Sequence, residues 1–306
     1  MTENMKILIA YDGSDSADSA LDDLSRAGFP DGGVEAKVVT VAEVWLPPMD
    51  DGETVHRHFA SPALKQRYDM NVEMLKEADG QASAAAERVR TLFPGWKVTS
   101  DSTYGSPAWE VLAFAEEMTA DLIVLGAKGM SAVERVLLGS VSQKVMTEAK
   151  CPVRVSRGKV IVEESPVRLL IGYDGTEGAR EAVRTVALRD WPDNTEVKVV
   201  IVEDSMFVRS SLEIDVDDIK SVGEGLVDDL RKIPMNAELT VLEGNPKNEI
   251  VSLAGEWDAD CIFIGATRYN DILTKYFIGS VSSAIVSRAH CTVEVVRPRG
   301  YGSGKD

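Results

Sequence analysis

Three glycines and two serines at fixed spacing form the stretch of this chain best suited to chemistry. Two residues separate Gly126 from Gly129, and nine more precede Gly139, which is followed by Ser140 and, two positions on, Ser142. Glycine lacks a Cβ, so it tolerates positive φ and lets an anion approach main-chain N–H groups. Ser140 is expected to begin a helix, whose unpaired N–H groups and dipole favour negative charge. The stretch is therefore predicted to bind a polyphosphate through its backbone.

The elements on either side of the glycines have the pattern of a strand, a loop and a helix. Residues 122–125 are a continuous apolar run, which is typical of a buried strand. After the loop, Val141, Val145 and Met146 recur at the spacing of one helix face. Glycines in such a loop and a serine at a helix start also occur without a ligand, so a purely structural role stays open.

The glycine spacing differs from two common nucleotide-binding fingerprints. No lysine follows the last glycine, as it does in a P-loop, and the pattern G-x-G-x-x-G is not met. The stretch resembles the G-x2-G-x9-G-[ST] motif of the universal stress protein family, in the members that bind ATP. Gly126, Gly129, Gly139 and Ser140 match that motif. The resemblance covers nearly the whole chain in two copies and implies ATP as the cofactor.

The resemblance also implies a site around the loop. Asp12 lies where the family places an aspartate near the nucleotide and its metal, and Mg²⁺ must separate this carboxylate from a triphosphate because two anions repel. An Asp-Gly turn or a helix cap is the alternative for Asp12. Val41 would offer backbone groups to the adenine edge, while Ala10 and Leu125 would line the floor; both Val41 and Leu125 also suit an ordinary core. The implied adenine-nucleotide site of the first half comprises Ala10, Asp12, Val41, Leu125, Gly126, Lys128, Gly129, Gly139, Ser140, Val141 and Ser142.

The second half of the chain repeats the first. Residues 168–176 repeat residues 6–14 almost one for one, and the last apolar run, 291–296, repeats residues 151–155. The chain is therefore interpreted as a tandem duplication. Its boundaries are expected at 1–157 for the first domain, 166–299 for the second, and 300–306 for a flexible tail.

Alternating strands and helices in each copy predict an α/β fold with two doubly wound parallel sheets, covered by helices on both faces. The resemblance implies five strands in the order 3-2-1-4-5, the Rossmann-like arrangement of adenine nucleotide alpha hydrolase-like folds. Such sheets bind ligands beyond the carboxyl ends of their strands. A long loop, Leu46 to Ser61, interrupts the first copy and suits a lid or a partner surface.

The glycine motif is altered in the second half. Arg268 stands at the position of the second glycine, and ten residues rather than nine separate it from Gly279. The arginine either blocks close backbone approach or holds a phosphate in bidentate fashion. Weakened or lost binding is favoured, because a side chain and an extra residue disturb the same loop. If the second half does bind nucleotide, the corresponding residues are Asp174, Val202, Gly265, Gly279, Ser280 and Ser282.

Composition excludes several classes of function. The balance of 33 basic and 50 acidic residues gives a net charge of −17, which argues against non-specific binding to nucleic acid or to an anionic membrane. No apolar run approaches the roughly 20 residues of a membrane span, and the start lacks a signal pattern, so a cytoplasmic protein is expected. The cysteines, Cys151, Cys261 and Cys291, do not suit a disulfide framework and are expected to be small buried residues.

The sequence favours a nucleotide-binding regulator and offers two alternatives. No general base is visible near the loop, so efficient hydrolysis is not expected. A slow ATPase or a protein that phosphorylates itself on Ser140 or Ser142 is one alternative. A ligand-free scaffold is the other, with residues 153–155 and 293–296 pairing the two halves. The family dimerises through that strand, so the chain is expected to mimic a dimer internally; a further homodimer stays open, and the sequence identifies no protein partner.

Overall fold

The architecture is taken from a computed structural model. It describes residues 4–44, 62–129, 138–158, 165–203, 216–268, 276–277 and 279–298. The loop at 46–61 and the tail at 300–306, both singled out in the sequence, lie outside these ranges.

Strands and helices alternate in the first half, as its apolar periodicity predicts. In chain order they are β1 (Met5–Ala10), α1 (Asp15–Asp23), β2 (Gly32–Ala42), α2 (Pro62–Leu92), β3 (Gly95–Tyr104), α3 (Pro107–Glu117), β4 (Leu122–Gly126), α4 (Ser140–Glu148) and β5 (Val153–Ser156). A 3-10 turn, Leu24–Arg26, extends α1. Proline begins α2 and α3, where its missing N–H costs no helical hydrogen bond.

The second half repeats this order and includes a short ribbon between β9 and α8. Its elements are β6 (Arg168–Gly172), α5 (Glu177–Ala187), β7 (Thr195–Glu203), α6 (Val216–Leu230), β8 (Met235–Glu243), α7 (Pro246–Glu256), β9 (Cys261–Gly265), β10 (Thr267–Arg268), β11 (Tyr276–Phe277), α8 (Ser280–Arg288) and β12 (Thr292–Val296). Strands β10 and β11 pair antiparallel, directly after β9. The repeat did not predict this ribbon.

The two predicted sheets are joined into one. Ten strands run in the order β3-β2-β1-β4-β5-β12-β9-β6-β7-β8. Each half is parallel and has the expected order 3-2-1-4-5, so the predicted fold class is confirmed. The halves meet where β5 pairs antiparallel with β12, as the scaffold interpretation expected of the final strands.

The two faces of this sheet are packed differently at the junction. On the face covered by α3, α4, α7 and α8, one apolar core runs from Leu8 through Val155 and Val293 to Ile285 without a break. On the other face, each half has its own core, one around Ile7 and the other in the second half. Side chains alternate across a strand, which is why Ile7 and Leu8 belong to different cores. Charged side chains occupy the gap between the two separate cores.

The cysteines are structural residues in this fold. None of the three forms a disulfide; Cys261 and Cys291 are buried, and Cys151 is half-buried. Burial raises the pKa of the Cys151 thiol to about 11, so the thiol stays protonated at neutral pH. Over the described ranges, no helix has both the length and the apolar character that crossing a membrane requires.

Candidate functional site

The residues singled out in the first half meet at one edge of the sheet. Ala10 and Leu125 are register partners at the carboxyl ends of the neighbouring strands β1 and β4. The chain leaves β1 into the turn at Asp12 and leaves β4 into the glycine loop at Gly126. Neighbouring parallel strands therefore bring together two segments that are more than a hundred residues apart in the sequence.

Asp12 closes a tight turn before α1. Its Oδ1 accepts hydrogen bonds from the backbone N–H of Ser14, at 3.1 Å, and from the Ser14 hydroxyl, at 2.6 Å. Gly13 has φ +75°, a conformation that favours glycine. The Ser14 Oγ in turn accepts from the N–H of Ala17 at 3.2 Å and caps the helix. One oxygen of Asp12 thus has the turn role that the sequence left open.

Ser16 fixes the glycine loop against the start of α1. Its Oγ accepts a hydrogen bond from the backbone N–H of Lys128 at 3.1 Å. The carbonyl of Lys128 lies 3.3 Å from Ser14 Oγ. Ser16 is not among the residues predicted from the glycine motif; the available signal was its difference from Gly178, which occupies the equivalent position of the second repeat.

The glycines of the loop permit close approach. A Cβ on Gly126 would lie 2.7 Å from the carbonyl of Ser16, so this glycine lets β4 pack against α1. A Cβ on Gly129 would lie 2.8 Å from Asp12 Oδ2. Gly139 has φ −72°, and neither Gly126 nor Gly129 is among the glycines with positive φ. These three glycines therefore do not use the positive φ that the residue type permits; their missing side chains provide space.

Helix α4 begins at Ser140, as expected, with Gly139 as its cap. The N–H of Gln143 donates to Gly139 O, so the three preceding amides, Ser140 to Ser142, have no acceptor within the helix. A glycine cap supplies no side-chain oxygen for them. The Gly139 N–H itself donates to Ala127 O at 2.8 Å, which closes the base of the loop. This helix end favours an anion.

The two serines of α4 have different environments. Ser142 is 3% exposed, and its hydroxyl donates to the carbonyl of Gly126 at 2.7 Å. Ser140 is exposed at the first position of the helix. The Ser142 hydroxyl therefore holds α4 against the end of β4, whereas Ser140 is an exposed residue.

Small apolar side chains surround the polar part of the site. Leu125 is buried, and the others are half-buried while packing on the core that spans both halves; these are Ala10, Val41, Leu138 and Val141. Lys128 is half-buried beside them. A flat apolar group beyond the strand ends would be in contact with side chains rather than water.

The carboxylate of Asp12 suits a metal carried by phosphates. Over the residues that the structure describes, no group of three His, Cys, Asp or Glu side chains could form a metal site of its own. Mg²⁺ commonly binds one or two carboxylates together with the phosphates of a nucleotide. Asp12 fits this mode, because its Oδ2 faces the Gly129 side of the loop.

The second half has hydrogen bonds equivalent to those of Asp12 and Ser142. Asp174 Oδ1 accepts from the N–H and the hydroxyl of Thr176, at 3.0 and 2.6 Å. Ser282 Oγ donates to Gly265 O at 3.0 Å, as Ser142 does to Gly126. Asp174 and Ser280 are exposed, and Val202 is half-buried.

The loop after β9 nevertheless differs from its counterpart. Gly178 has no hydroxyl with which to hold the loop, and a Cβ on Gly265 would lie 2.3 Å from the Gly178 carbonyl carbon. The backbone of Arg268 belongs to the β10–β11 ribbon, paired with Tyr276. The second half thus lacks the counterpart of the Ser16 hydroxyl, and Gly265, Gly279 and Ser280 lie on either side of this ribbon.

Comparison with known proteins identifies the family. The profile described as the Universal stress protein family matches residues 3–157 and again 167–297. The chain belongs to the universal stress protein family. As a tandem universal stress protein it is similar to one from Mycobacterium tuberculosis, at 25% identity over 262 residues, covering 81% of this chain and 89% of the relative. A universal stress protein of Methanocaldococcus jannaschii is 35% identical over 153 residues, which are 49% of this chain and 80% of that protein.

A solved universal stress protein has the same overall fold. The crystal structure of a universal stress protein from Archaeoglobus fulgidus aligns over 98% of this chain and 100% of its own length, with a TM-score of 0.67 and 20% identity. The structural similarity therefore extends over both halves of the chain.

Proposed function

We propose that this protein is an ATP-binding regulator of the stress response, in which the first domain holds Mg²⁺-ATP and its occupancy changes the choice of a protein partner. The nucleotide would bind to the backbone of Gly126–Gly129 and the amides of Ser140 to Ser142. Asp12 would hold the metal, and Ala10, Val41 and Leu125 would line the adenine end. The observation that carries the proposal is the placement of Gly129.

Comparing the two halves distinguishes the glycine that packing requires, Gly126, from the glycine proposed to contact the nucleotide, Gly129. Gly126 and Gly265 both lie against the backbone at the start of a helix, where a Cβ would be 2.7 and 2.3 Å from main-chain atoms. Packing alone explains their presence in both halves. Among the residues that the structure describes, a Cβ on Gly129 would approach only the end of a side chain, Asp12 Oδ2, yet the residue is a glycine, whereas its counterpart is Arg268. This difference supports the proposal that the space beside Asp12 is kept for a ligand.

The charge of the molecule is consistent with binding by backbone groups. At −17 overall, the protein does not attract anions from a distance. The amides at the start of α4, which have no acceptor within the helix, and the dipole of that helix supply a local positive potential without basic side chains. This supports a specific polyphosphate site within an acidic protein.

A self-phosphorylating protein is the second candidate, and Ser140 is the acceptor it would use. The Ser142 hydroxyl is buried and donates to Gly126 O, while Ser140 is exposed at the same helix end. Incubation with Mg²⁺-ATP followed by peptide mass spectrometry is expected to show phosphate on Ser140 if this activity exists. Phosphate that persists in Ser140→Ala, or its absence in the wild type, would argue against it.

Calorimetric titration with Mg²⁺-ATP tests the first candidate. The wild-type protein is expected to show saturable binding, and Gly129→Arg is expected to weaken it at least about tenfold, because the new side chain fills the space beside Asp12. Gly80→Arg is the matched control, since Gly80 is exposed on α2 with open space around it. Equal affinity in the wild type and Gly129→Arg would reject the assignment of the site.

A further inference from the structure

The two halves meet at a pair of equivalent residues with opposite charge. Where β5 pairs with β12, Arg154 is the register partner of Glu294. In the repeat, Cys151 to Val155 aligns with Cys291 to Val295, so Arg154 and Glu294 occupy the same position of the two copies. A local twofold axis therefore passes between these two side chains.

This central pair is buried and connected. Arg154 is 1% exposed and Glu294 is 0% exposed, and Arg154 Nη1 donates to Glu294 Oε2 at 3.0 Å. Arg154 also donates to both carboxylate oxygens of Asp23, at 2.6 and 3.1 Å. Glu294 Oε1 forms an ion pair with Arg189. The four side chains alternate in sign, with one acid and one base from each half.

The surroundings of the pair also differ between the halves. Thr292 donates to Asp23 Oδ1 across the junction at 3.0 Å, and the equivalent residue of the first half is Pro152, which has no hydroxyl. Arg189 Nη1 donates to Ala27 O of the first half at 3.1 Å. Counted from the repeated Tyr-Asp-Gly motif, Arg189 is the counterpart of Ala27 itself. Each half thus provides groups that suit the other half and not a copy of itself.

We propose that the buried Arg154–Glu294 pair makes the two halves selective for one another, so that β5 accepts β12 and rejects a second copy of its own half. In a pair of first halves, Arg154 would face Arg154 and Asp23 would lose its bond from Thr292. In a pair of second halves, Glu294 would face Glu294. Like charges at a buried contact disfavour a wrong partner. The partner that fits this surface is therefore the opposite half, from the same chain or a second one.

Cleavage of the folded chain tests the selectivity. A protease site is placed between Gly158 and Ser165, and the full-length protein is cut there. The two fragments are separated in urea and reassociated by dialysis, and native mass spectrometry measures the masses of the complexes that form. The wild type is expected to give only complexes of one first half with one second half. Complexes of two first halves or two second halves, in the proportion expected for random pairing, would overturn the proposal.

Single substitutions give reciprocal outcomes. Glu294→Gln removes the like-charge contact between second halves but leaves Arg154 against Arg154 between first halves. Beside the mixed complex, pairs of second halves are therefore expected to form, and pairs of first halves are not. For Arg154→Gln the reverse is expected: beside the mixed complex, pairs of first halves form and pairs of second halves do not. The matched control replaces an exposed ion pair between β2 and β3, Glu35→Gln with Lys97→Gln, and is expected to behave as the wild type. Identical mixtures from the two single variants would contradict the proposal.

The intact chain provides a second measurement that does not require reassociation. Glu294→Arg places like charges at the junction, whereas Glu294→Gln only removes one charge. The proposal expects the urea midpoint of Glu294→Arg to be clearly lower than that of Glu294→Gln, and the midpoint of Arg154→Glu to be lower than that of Arg154→Gln. Equal midpoints within each pair would show that like charges carry no penalty here, and the selectivity would have no source.

Discussion

Arg157 and Arg297 occupy equivalent positions after β5 and β12, and each donates to the last turn of a helix in the opposite half. Arg297 bonds to the carbonyls of Met146 and Cys151, while Arg157 bonds to the carbonyl of Val286. Met146 and Val286 lie near the ends of α4 and α8, where a cation complements the helix dipole. The helix that begins at the candidate site is thus held at its other end by the second half.

Removing the Arg297 guanidinium is predicted to destabilise the whole chain. Arg297 is buried, so Arg297→Gln leaves two carbonyls without their charged donor, and the free energy of unfolding is expected to fall by about 3 kcal/mol. Arg157→Gln is expected to cost less, because Arg157 is half-buried and water can replace part of its hydrogen bond to the Val286 carbonyl. Urea denaturation followed by circular dichroism measures both. Equal losses would contradict the assignment.

Ser16→Ala is predicted to weaken nucleotide binding without unfolding the protein. The variant removes the hydrogen bond that holds the Lys128 amide, at a cost of about 1 kcal/mol, or roughly a fivefold rise in the Kd for Mg²⁺-ATP. Ser25→Ala is the control, since the Ser25 hydroxyl bonds Asp22 O on an exposed turn of the same half. Calorimetry compares the two variants, and equal affinities would show that Ser16 does not position the loop.

Arg268→Gly is predicted not to create a second nucleotide site. The substitution restores the missing glycine, but Gly178 still lacks the hydroxyl of Ser16 and the chain still enters the β10–β11 ribbon. A Cβ on Gly178 would lie 2.5 Å from Ala266 O, so a serine cannot be added there without strain. Calorimetric stoichiometry is expected to remain one nucleotide per chain in the wild type and in Arg268→Gly. A stoichiometry of two in either protein would contradict this prediction.

Tyr11 is predicted to make stability depend on alkaline pH. Burial, reinforced by its hydrogen bond to Asp18 at 2.8 Å, raises the pKa of Tyr11 to about 12 from the ordinary value of 10. The folded state binds the Tyr11 proton more tightly than the unfolded state does. The contribution of the protonated hydroxyl to stability is therefore complete below pH 10 and is lost as the pH rises from 10 to 12. Carbon-13 NMR of labelled tyrosine rings follows the titration, with Tyr11→Phe assigning the signal. A midpoint near 10 would contradict the burial of this hydroxyl.

The amino-acid sequence by itself determined the elements and their repetition. Strands and helices are recognised from the pattern of residues that are close in the sequence. The apolar run before Ala10 therefore located a strand, and the apolar spacing after Ser140 located a helix. The repeated Tyr-Asp-Gly segments revealed two copies, from which the parallel sheets followed. The spacing of Gly126, Gly129 and Gly139 singled out one loop, because glycine spacing is a local property.

Only the tertiary structure decided which residues meet and why the glycines are needed. Gly126 is required by the backbone of Ser16, and Gly129 lies against Asp12, contacts that adjacent parallel strands create between distant segments. The pairing of Arg154 with Glu294 depends on the register of two strands from different halves. Such contacts are set by how the sheet is assembled, and no local pattern in the chain encodes the distance between residues so far apart.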